Sequence, residues 1–254
     1  MTCLRYLFIA AGGDIFAGPM PAWPDAVLFD FDGVLVNSEP LHFRALQKAA
    51  AESDLSLSED DYYNELLGHD DRGAFQRLLT LNQRRATPAL LLKLMARKQV
   101  IAAQLIFEKQ FRPLPGVGEL VRSLWREYPL AICSGARSNE IELMLEAIGL
   151  RDCFRVIISA EDVTVGKPDP ESYLRGLEML ARRYHTRLNP KNCIVIEDAP
   201  RVIDRLKPHG FICVGVASHI PAVRFNNADY VVEALTVESI KKTIPKLELF
   251  EEIA

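Results

Sequence analysis

Short apolar runs alternate with helical segments over the second half of the chain, and one further apolar run lies near its start. Strands that are apolar throughout are typical of a parallel sheet that helices cover on both faces. The sequence therefore predicts an α/β fold with a Rossmann-like parallel sheet core flanked by helices. The predicted strands are residues 26–29, 130–133, 156–159, 193–196, 211–216 and 230–232. The predicted helices around them are residues 117–127, 137–148, 170–183, 200–207 and 237–244.

The segment between the first two of these strands has a purely helical pattern. We expect no strand between residues 40 and 112. Proline-containing stretches on either side of the segment suit linkers. The predicted helices are residues 39–51, 59–67, 72–82 and 88–110. The expected domains are a core of residues 25–39 and 114–254, and a small all-helical cap, residues 40–113, inserted after the first strand.

The N-terminal 24 residues precede the predicted fold. Leu4 to Ala11 is apolar, but this run is too short to span a bilayer. It also lacks the long apolar core and the cleavage site of a signal peptide. We interpret residues 1–24 as an extension outside the fold, which could be disordered. A targeting segment and a start codon assigned too far upstream are the alternatives.

Composition narrows the class of partners. The 254 residues are 49% hydrophobic and 25% charged, as in ordinary globular proteins. The net charge of -4 gives no reason to expect nucleic acid, and no segment indicates a membrane role. Of the five cysteines, Cys133, Cys193 and Cys213 lie in strand-like runs. We interpret them as reduced core thiols of a cytoplasmic protein. For the oligomeric state, both a monomer and a homodimer stay open.

Two aspartates end the first predicted strand. Asp30 and Asp32 follow the run 26–29 and precede Gly33. Carboxylates two residues apart on extended backbone lie on the same side of the chain. Such close like charges are costly when buried, unless a cation or a shared proton offsets them. Mg²⁺ is the simplest cation that would offset the two charges. A lone Asp at a strand end, by contrast, is more often a turn former or a helix cap.

Polar groups follow the other predicted strands too, and parallel strands bring their carboxyl ends to one edge of the sheet. Asp30 is the candidate nucleophile and Asp32 the candidate general acid and base. Asp198 would hold Mg²⁺ together with Asp30, with Glu197 in support. Phosphate oxygens would be bound by Ser134 with the amides after it, Gly135 included, and by Lys167. Alone, the serine suits a plain turn and the lysine a solvated surface position.

Taken together, these segments resemble four motifs of the haloacid dehalogenase-like hydrolase superfamily. The resemblance covers roughly residues 26–235. It implies Mg²⁺ held by Asp30, Asp198 and the backbone carbonyl of Asp32. The matching segments are Asp30-Phe31-Asp32-Gly33-Val34-Leu35, Ile132-Cys133-Ser134-Gly135, Gly166-Lys167-Pro168-Asp169-Pro170 and Ile196-Glu197-Asp198-Ala199-Pro200.

The inserted helices resemble the cap of the phosphatase and β-phosphoglucomutase branch. The family then implies a Mg²⁺-dependent phosphatase acting on a small phosphorylated metabolite, with a sugar phosphomutase as the alternative. The segment Leu41-His42-Phe43-Arg44-Ala45 resembles the mutases, and His42, Arg72 and Lys98 are the candidate substrate contacts of the cap. Each of the three would equally suit a structural role, His42 packed in its helix and the two basic side chains solvated.

Overall fold

The computed structural model describes residues 7–10, 14–17, 23–66, 69 and 71–250. Most of the extension predicted over residues 1–24 therefore lies outside the described residues. Contacts divide the chain into two compact units, Met1–Asn37 with Pro113–Ala254 and Ser38–Arg112. We call the first the core unit and the second the cap unit.

The strands have two to five residues and the helices three to twenty. The strands are β1 (Leu7–Ala10), β2 (Asp14–Ala17), β3 (Ala26–Phe29), β4 (Val36–Asn37), β5 (Arg112–Pro113), β6 (Leu130–Cys133), β7 (Val156–Ile158), β8 (Cys193–Glu197), β9 (Ile212–Val216) and β10 (Tyr230–Val232). The helices are α1 (Glu39–Ala51), α2 (Glu59–Asp61), α3 (Asp71–Leu81), α4 (Pro88–Phe107), α5 (Val117–Trp125), α6 (Ser138–Ala147), α7 (Glu171–Arg183), α8 (Pro200–Leu206) and α9 (Val237–Thr243).

One parallel sheet organises the core unit. Its strands lie in the order β10, β9, β8, β3, β6 and β7, and each neighbouring pair is parallel. Every residue of β3, β6 and β8 is buried, which is the pattern of strands covered on both faces. The predicted α/β fold is therefore confirmed.

Strand register brings the ends of β3, β6 and β8 to one edge. Phe29 of β3 lies beside Ile132 of β6 and Ile196 of β8, so the residues that follow all three meet there. The order in which strands are added reverses at β3, because β6 and β7 extend the sheet on one side and β8 to β10 extend it on the other. Parallel sheets bind ligands at such a switch point.

Helix α7 packs closely on this sheet because it carries a glycine at the point of contact. A Cβ atom on Gly176 would lie 2.6 Å from the Sγ atom of Cys133 in β6. The same helix carries Tyr173, which is fully buried in the core cluster with Cys133 and Leu180. The cysteines that the structure describes are free and buried, in agreement with the predicted core thiols.

In the cap unit, α4 packs against α1 and α3. It begins as the sequence predicts, with Pro88 in the first turn and the Oγ atom of Thr87 accepting a hydrogen bond from the amide of Leu90 at 3.3 Å. No helix within the described ranges is both long and apolar enough to cross a membrane.

Three local features differ from the prediction. The two-residue strands β4 and β5 pair with each other, and β1 pairs with β2 in an antiparallel hairpin. The two residues of β4 or of β5 are too few to carry a periodic pattern, so only their pairing defines these two strands. The helix predicted over residues 59–67 is α-helical only through Asp61, and Tyr62–Leu66 is π-helical.

Candidate active site

Asp30 occupies the carboxyl end of the central strand. Its backbone amide donates to the carbonyl oxygen of Ile196 at 2.9 Å, which continues the pairing of β3 with β8. The residue is only 7% exposed. Its side-chain Oδ1 atom accepts a hydrogen bond from the Nζ atom of Lys167 at 2.6 Å. A carboxylate is thus held at the sheet edge by a neighbour from a distant part of the sequence.

A tight turn follows Asp30 and requires glycine. Gly33 has a φ of +78°, which L residues with a side chain rarely adopt. Its amide donates to the carbonyl oxygen of Val36 at 2.8 Å. A Cβ atom on Gly33 would lie 2.1 Å from the Oδ2 atom of Asp198. Gly33 therefore allows the turn that carries Asp32 to approach the carboxylate that follows β8.

Lys167 is the centre of a largely buried hydrogen-bond network. Besides Asp30, its ammonium donates to the Oε2 atom of Glu197 at 2.8 Å and to the hydroxyl oxygen of Tyr173 at 3.1 Å. The Tyr173 hydroxyl in turn donates to the same Oε2 atom at 2.6 Å. Glu197, which is 1% exposed, also accepts from the amide of Ala199 at 3.2 Å. The position of the ammonium is thus fixed by three partners.

The loop that carries Lys167 is itself braced by two carboxylates. The Oδ2 atom of Asp162 accepts from the amide of Ser159 at 2.9 Å and from its hydroxyl at 2.6 Å. Glu171, at the start of α7, accepts from the amides of Thr164 and Val165 at 2.9 and 2.8 Å. Such bonds favour the charged carboxylates. The pKa values of Asp162 and Glu171 are accordingly lowered, chiefly by the bond from Ser159 and by the two amides respectively.

Carboxylates crowd this edge of the sheet. Burial, followed by the charge of Glu197, raises the pKa of Asp30 well above its usual value. The same two causes, in the same order, raise the pKa of Asp198 to about 7. Burial alone would lower the pKa of Lys167, but the charges of Asp30 and Glu197 outweigh it and raise that pKa. One ammonium therefore faces three carboxylates and only partly offsets them.

This excess of negative charge fits a divalent cation. Oxygen atoms of Asp30, Glu197 and Asp198 lie within 4.8 Å of one another. Hard cations such as Mg²⁺ prefer oxygen ligands, and one or two carboxylates commonly suffice because water supplies the rest. Since Glu197 is already engaged by Lys167, Tyr173 and Ala199, the donors best suited to the ion are Asp30 and Asp198.

Ser134 directly follows β6, the strand that pairs with β3 in the sheet. It is 2% exposed, and its Oγ atom accepts from the amide of Ala136 at 2.9 Å. Gly135 is exposed, and a Cβ atom added there would meet nothing within 4 Å. Helix α6 begins directly beyond, at Ser138. A turn, open space and a helix N-terminus suit an anion, so phosphate binding by Ser134 and Gly135 stays a prediction that this geometry permits.

Two of the three candidate contacts of the cap unit are brought together. The Nζ atom of Lys98, which is 5% exposed, lies 3.3 Å from Nδ1 of His42 and 2.6 Å from Oδ1 of Asp71. Arg72 is exposed on α3 and is not in this cluster. The roles of all three in substrate binding stay predictions.

Sequence reasoning missed Tyr173 and Asp71. Tyr173 is in an amphipathic helix, where a buried aromatic ordinarily means packing, and only its hydroxyl contact with Glu197 shows a second role. Asp71 was one of two adjacent aspartates in a polar stretch. The sequence carries no signal for its ion pair with Lys98, because the partners are far apart along the chain.

Comparison with known proteins decides the family. Residues 24–210 match the family described as haloacid dehalogenase-like hydrolase. The chain belongs to this family. It is therefore an enzyme, a hydrolase whose relatives include phosphatases and phosphoglucomutases.

Individual relatives show the same kinship. The chain is 29% identical to a β-phosphoglucomutase from Bacillus subtilis (strain 168), over 90% of this chain and 99% of that protein. It is 28% identical to the fructose-1-phosphate phosphatase YqaB from Escherichia coli (strain K12), over 75% of this chain and 95% of that one. A crystal structure of β-phosphoglucomutase from Clostridium difficile superposes with a TM-score of 0.69 at 24% identity, covering 86% and 96% of the two chains. The last similarity concerns the fold.

Proposed function

We propose that this hydrolase is a Mg²⁺-dependent phosphatase that removes phosphate from a small monoester, a sugar phosphate or a similar metabolite, through an aspartyl phosphate on Asp30. The observation that carries the proposal is the largely buried contact between Asp30 and Lys167 at the switch point of the sheet. The ammonium offsets negative charge, so the carboxylate can attack a phosphorus atom with less repulsion from the anionic ester.

The chemistry requires two balanced steps. In the first, an oxygen of Asp30 forms a bond to phosphorus while the bond to the leaving oxygen breaks, and protonated Asp32 gives its proton to that oxygen. In the second, a water molecule loses a proton to Asp32 and attacks phosphorus. The bond to Asp30 then breaks, and inorganic phosphate leaves with both aspartates restored.

The remaining groups handle charge. Lys167 offsets negative charge on Asp30 and on the phosphoryl oxygens, and Ser134 with the amide of Gly135 would bind those oxygens. Asp30, Asp198 and the carbonyl of Asp32 would hold Mg²⁺. When bound, the ion supplies positive charge that reduces repulsion between the nucleophile and the ester.

A sugar phosphomutase is the second candidate. The similarity to the Bacillus subtilis β-phosphoglucomutase, which spans 90% of this chain, favours it. A mutase returns the phosphoryl group to a second hydroxyl and must hold a bisphosphate, which calls for an additional cation. In the cap unit, Lys98 is already paired with Asp71 and Arg97 with Glu52, so the exposed Arg72 is the candidate for this cation. A phosphatase needs no second phosphate site, and we therefore keep it as the first candidate.

Phosphate release separates the candidates. Purified full-length chain is assayed on a panel of sugar phosphates and other small monoesters, with Mg²⁺ and with a chelator, beside Asp30→Asn. Turnover that needs both Mg²⁺ and Asp30 supports the phosphatase. The same preparations are given β-glucose 1-phosphate with a bisphosphate primer. Formation of glucose 6-phosphate without net phosphate release would replace the phosphatase by the mutase.

A further inference from the structure

Helix α4 of the cap unit has two apolar sides. One is buried against α1 and α3 and includes Leu94, Ile101 and Leu105. The other faces solvent and is unusual in carrying three large side chains, with Leu92 61%, Val100 57% and Phe107 84% exposed. Ala96, which is exposed, and Ala103, which is partly exposed, lie between them. We call these five residues, Leu92, Ala96, Val100, Ala103 and Phe107, the α4 stripe.

The α4 stripe is a continuous surface. Its members are spaced three or four residues apart, so they follow one side of the helix. At about 1.5 Å per residue the stripe is roughly 22 Å long. Extended exposed apolar surface is uncommon on a monomer, and where it occurs it is a candidate interaction site.

The order of side chains in the α4 stripe suits a second copy of the same helix. Leu92 and Phe107 lie equally far from the midpoint between Gln99 and Val100, and so do Ala96 and Ala103. If two such helices pack antiparallel about a two-fold axis at this midpoint, each large end residue meets the other large residue. The alanines face each other near the centre, where small side chains let two helices approach closely. A two-fold axis requires this kind of self-complementary surface.

Charges beside the α4 stripe favour the same arrangement. Lys93 and Glu108 are both exposed, and because about four helical turns separate them they lie on the same flank of the helix axis. In an antiparallel pair, Lys93 of one copy comes within about a turn of Glu108 of the other, and the reciprocal pair forms at the far end. In a parallel pair, Lys93 of one copy and Glu108 of the other would be about four helical turns apart, so neither ion pair would form.

We propose that two copies of this chain associate through antiparallel packing of the α4 stripe. The contact is a single helix pair, so its area falls at the low end of specific protein interfaces. The dimer is therefore weak, with a dissociation constant in the micromolar range. This inference rests on the surface of the cap unit and is independent of the proposed activity.

Sedimentation velocity of the full chain between about 1 and 100 µM tests the proposal. The wild type is expected to show a reversible monomer–dimer equilibrium. Val100→Glu brings two carboxylates together near the axis, and Phe107→Glu removes an end contact; each should raise the dissociation constant at least about tenfold. Val223→Glu is the matched control, because Val223 is 75% exposed but lies in the core unit. It should dimerise as the wild type does.

A charge exchange tests the antiparallel orientation. Lys93→Glu and Glu108→Lys should each weaken the dimer, and the double variant should restore it. Failure of the double variant to recover would overturn the antiparallel arrangement. If the wild type stays monomeric at 100 µM, the proposal is overturned. The α4 stripe would then bind another protein or residues 1–22 of this chain. A dimer that both stripe variants leave unchanged would overturn it equally.

Discussion

Removal of a single oxygen atom, by Tyr173→Phe, should weaken both the fold and the active site. The phenylalanine keeps the ring, so the packing of α7 on the sheet is preserved. The lost hydroxyl donates to the Oε2 atom of Glu197 at 2.6 Å, in a fully buried position. A hydrogen bond to a charged group contributes about 1.5–3 kcal/mol. We expect a loss near the lower value, about 1.5–2 kcal/mol, because Lys167 and Ala199 still donate to Glu197.

The catalytic effect follows from Lys167. The ammonium has three partners, Asp30, Glu197 and the Tyr173 hydroxyl, and the substitution removes the last of them. If the contact with Asp30 weakens by about 1.4 kcal/mol in the transition state, kcat/KM falls about tenfold. The assay is steady-state phosphate release, with urea unfolding measured on the same preparation.

Tyr128→Phe is the matched control. The Tyr128 side chain is also fully buried, and its hydroxyl accepts from the amide of Glu248 at 2.9 Å. It precedes β6 and so lies at the opposite edge of the sheet from Asp30. This variant should lose about 1 kcal/mol of stability and keep full activity. If Tyr173→Phe behaves the same way, with normal kcat/KM, the argument that the network positions Lys167 is refuted.

Three further predictions concern the turn, the loop and the metal. Gly33→Ala should lower the free energy of unfolding by more than about 1 kcal/mol, whereas Gly166→Ala, whose Cβ atom meets nothing within 4 Å, should change it little in urea unfolding. The pKa of Asp162 is lowered in the folded chain, so its charge stabilises the fold above the unfolded value near 4, and this stabilisation is lost as pH falls through the lower folded pKa. The stability difference between wild type and Asp162→Asn should therefore be constant above about pH 5 and shrink below about pH 4; an unchanged difference at pH 3 would contradict this. Mg²⁺ should raise the melting temperature of the wild type but not of Asp198→Asn in calorimetry, and an equal rise in both would exclude Asp198 as a ligand.

The sheet could be predicted from sequence because its strands are apolar and separated by helices. The predicted strands at 26–29, 130–133 and 230–232 agree with β3, β6 and β10, and the others differ by one residue at an end. The β4–β5 pair could not be predicted, since two residues contain no period. Likewise, the π-helical stretch Tyr62–Leu66 has the same apolar spacing as an α-helix at this length.

The candidate active site could likewise be predicted only in part. That Asp30, Lys167 and Asp198 would meet at one edge of the sheet could be predicted, because each follows a recognisable strand or loop. What could not be predicted is which partner each side chain has. Lys167 and Asp30 are separated by 137 positions, and Tyr173 resembles a packing residue until its hydroxyl is placed beside Glu197. Hydrogen bonds across such distances depend on the folded register and not on local pattern.

The proposed reaction passes through an aspartyl phosphate on Asp30, so trapping this intermediate tests the proposal. Full-length chain is mixed with Mg²⁺ and the best monoester from the panel, quenched in acid within one turnover and digested for mass spectrometry. We expect one added phosphoryl group on the peptide that contains Asp30. This group should be absent in Asp30→Asn and retained longer in Asp32→Asn, which cannot accept the proton from water. Phosphate release at the wild-type rate with no modified Asp30, or a phosphoryl group on another residue, would contradict the proposal.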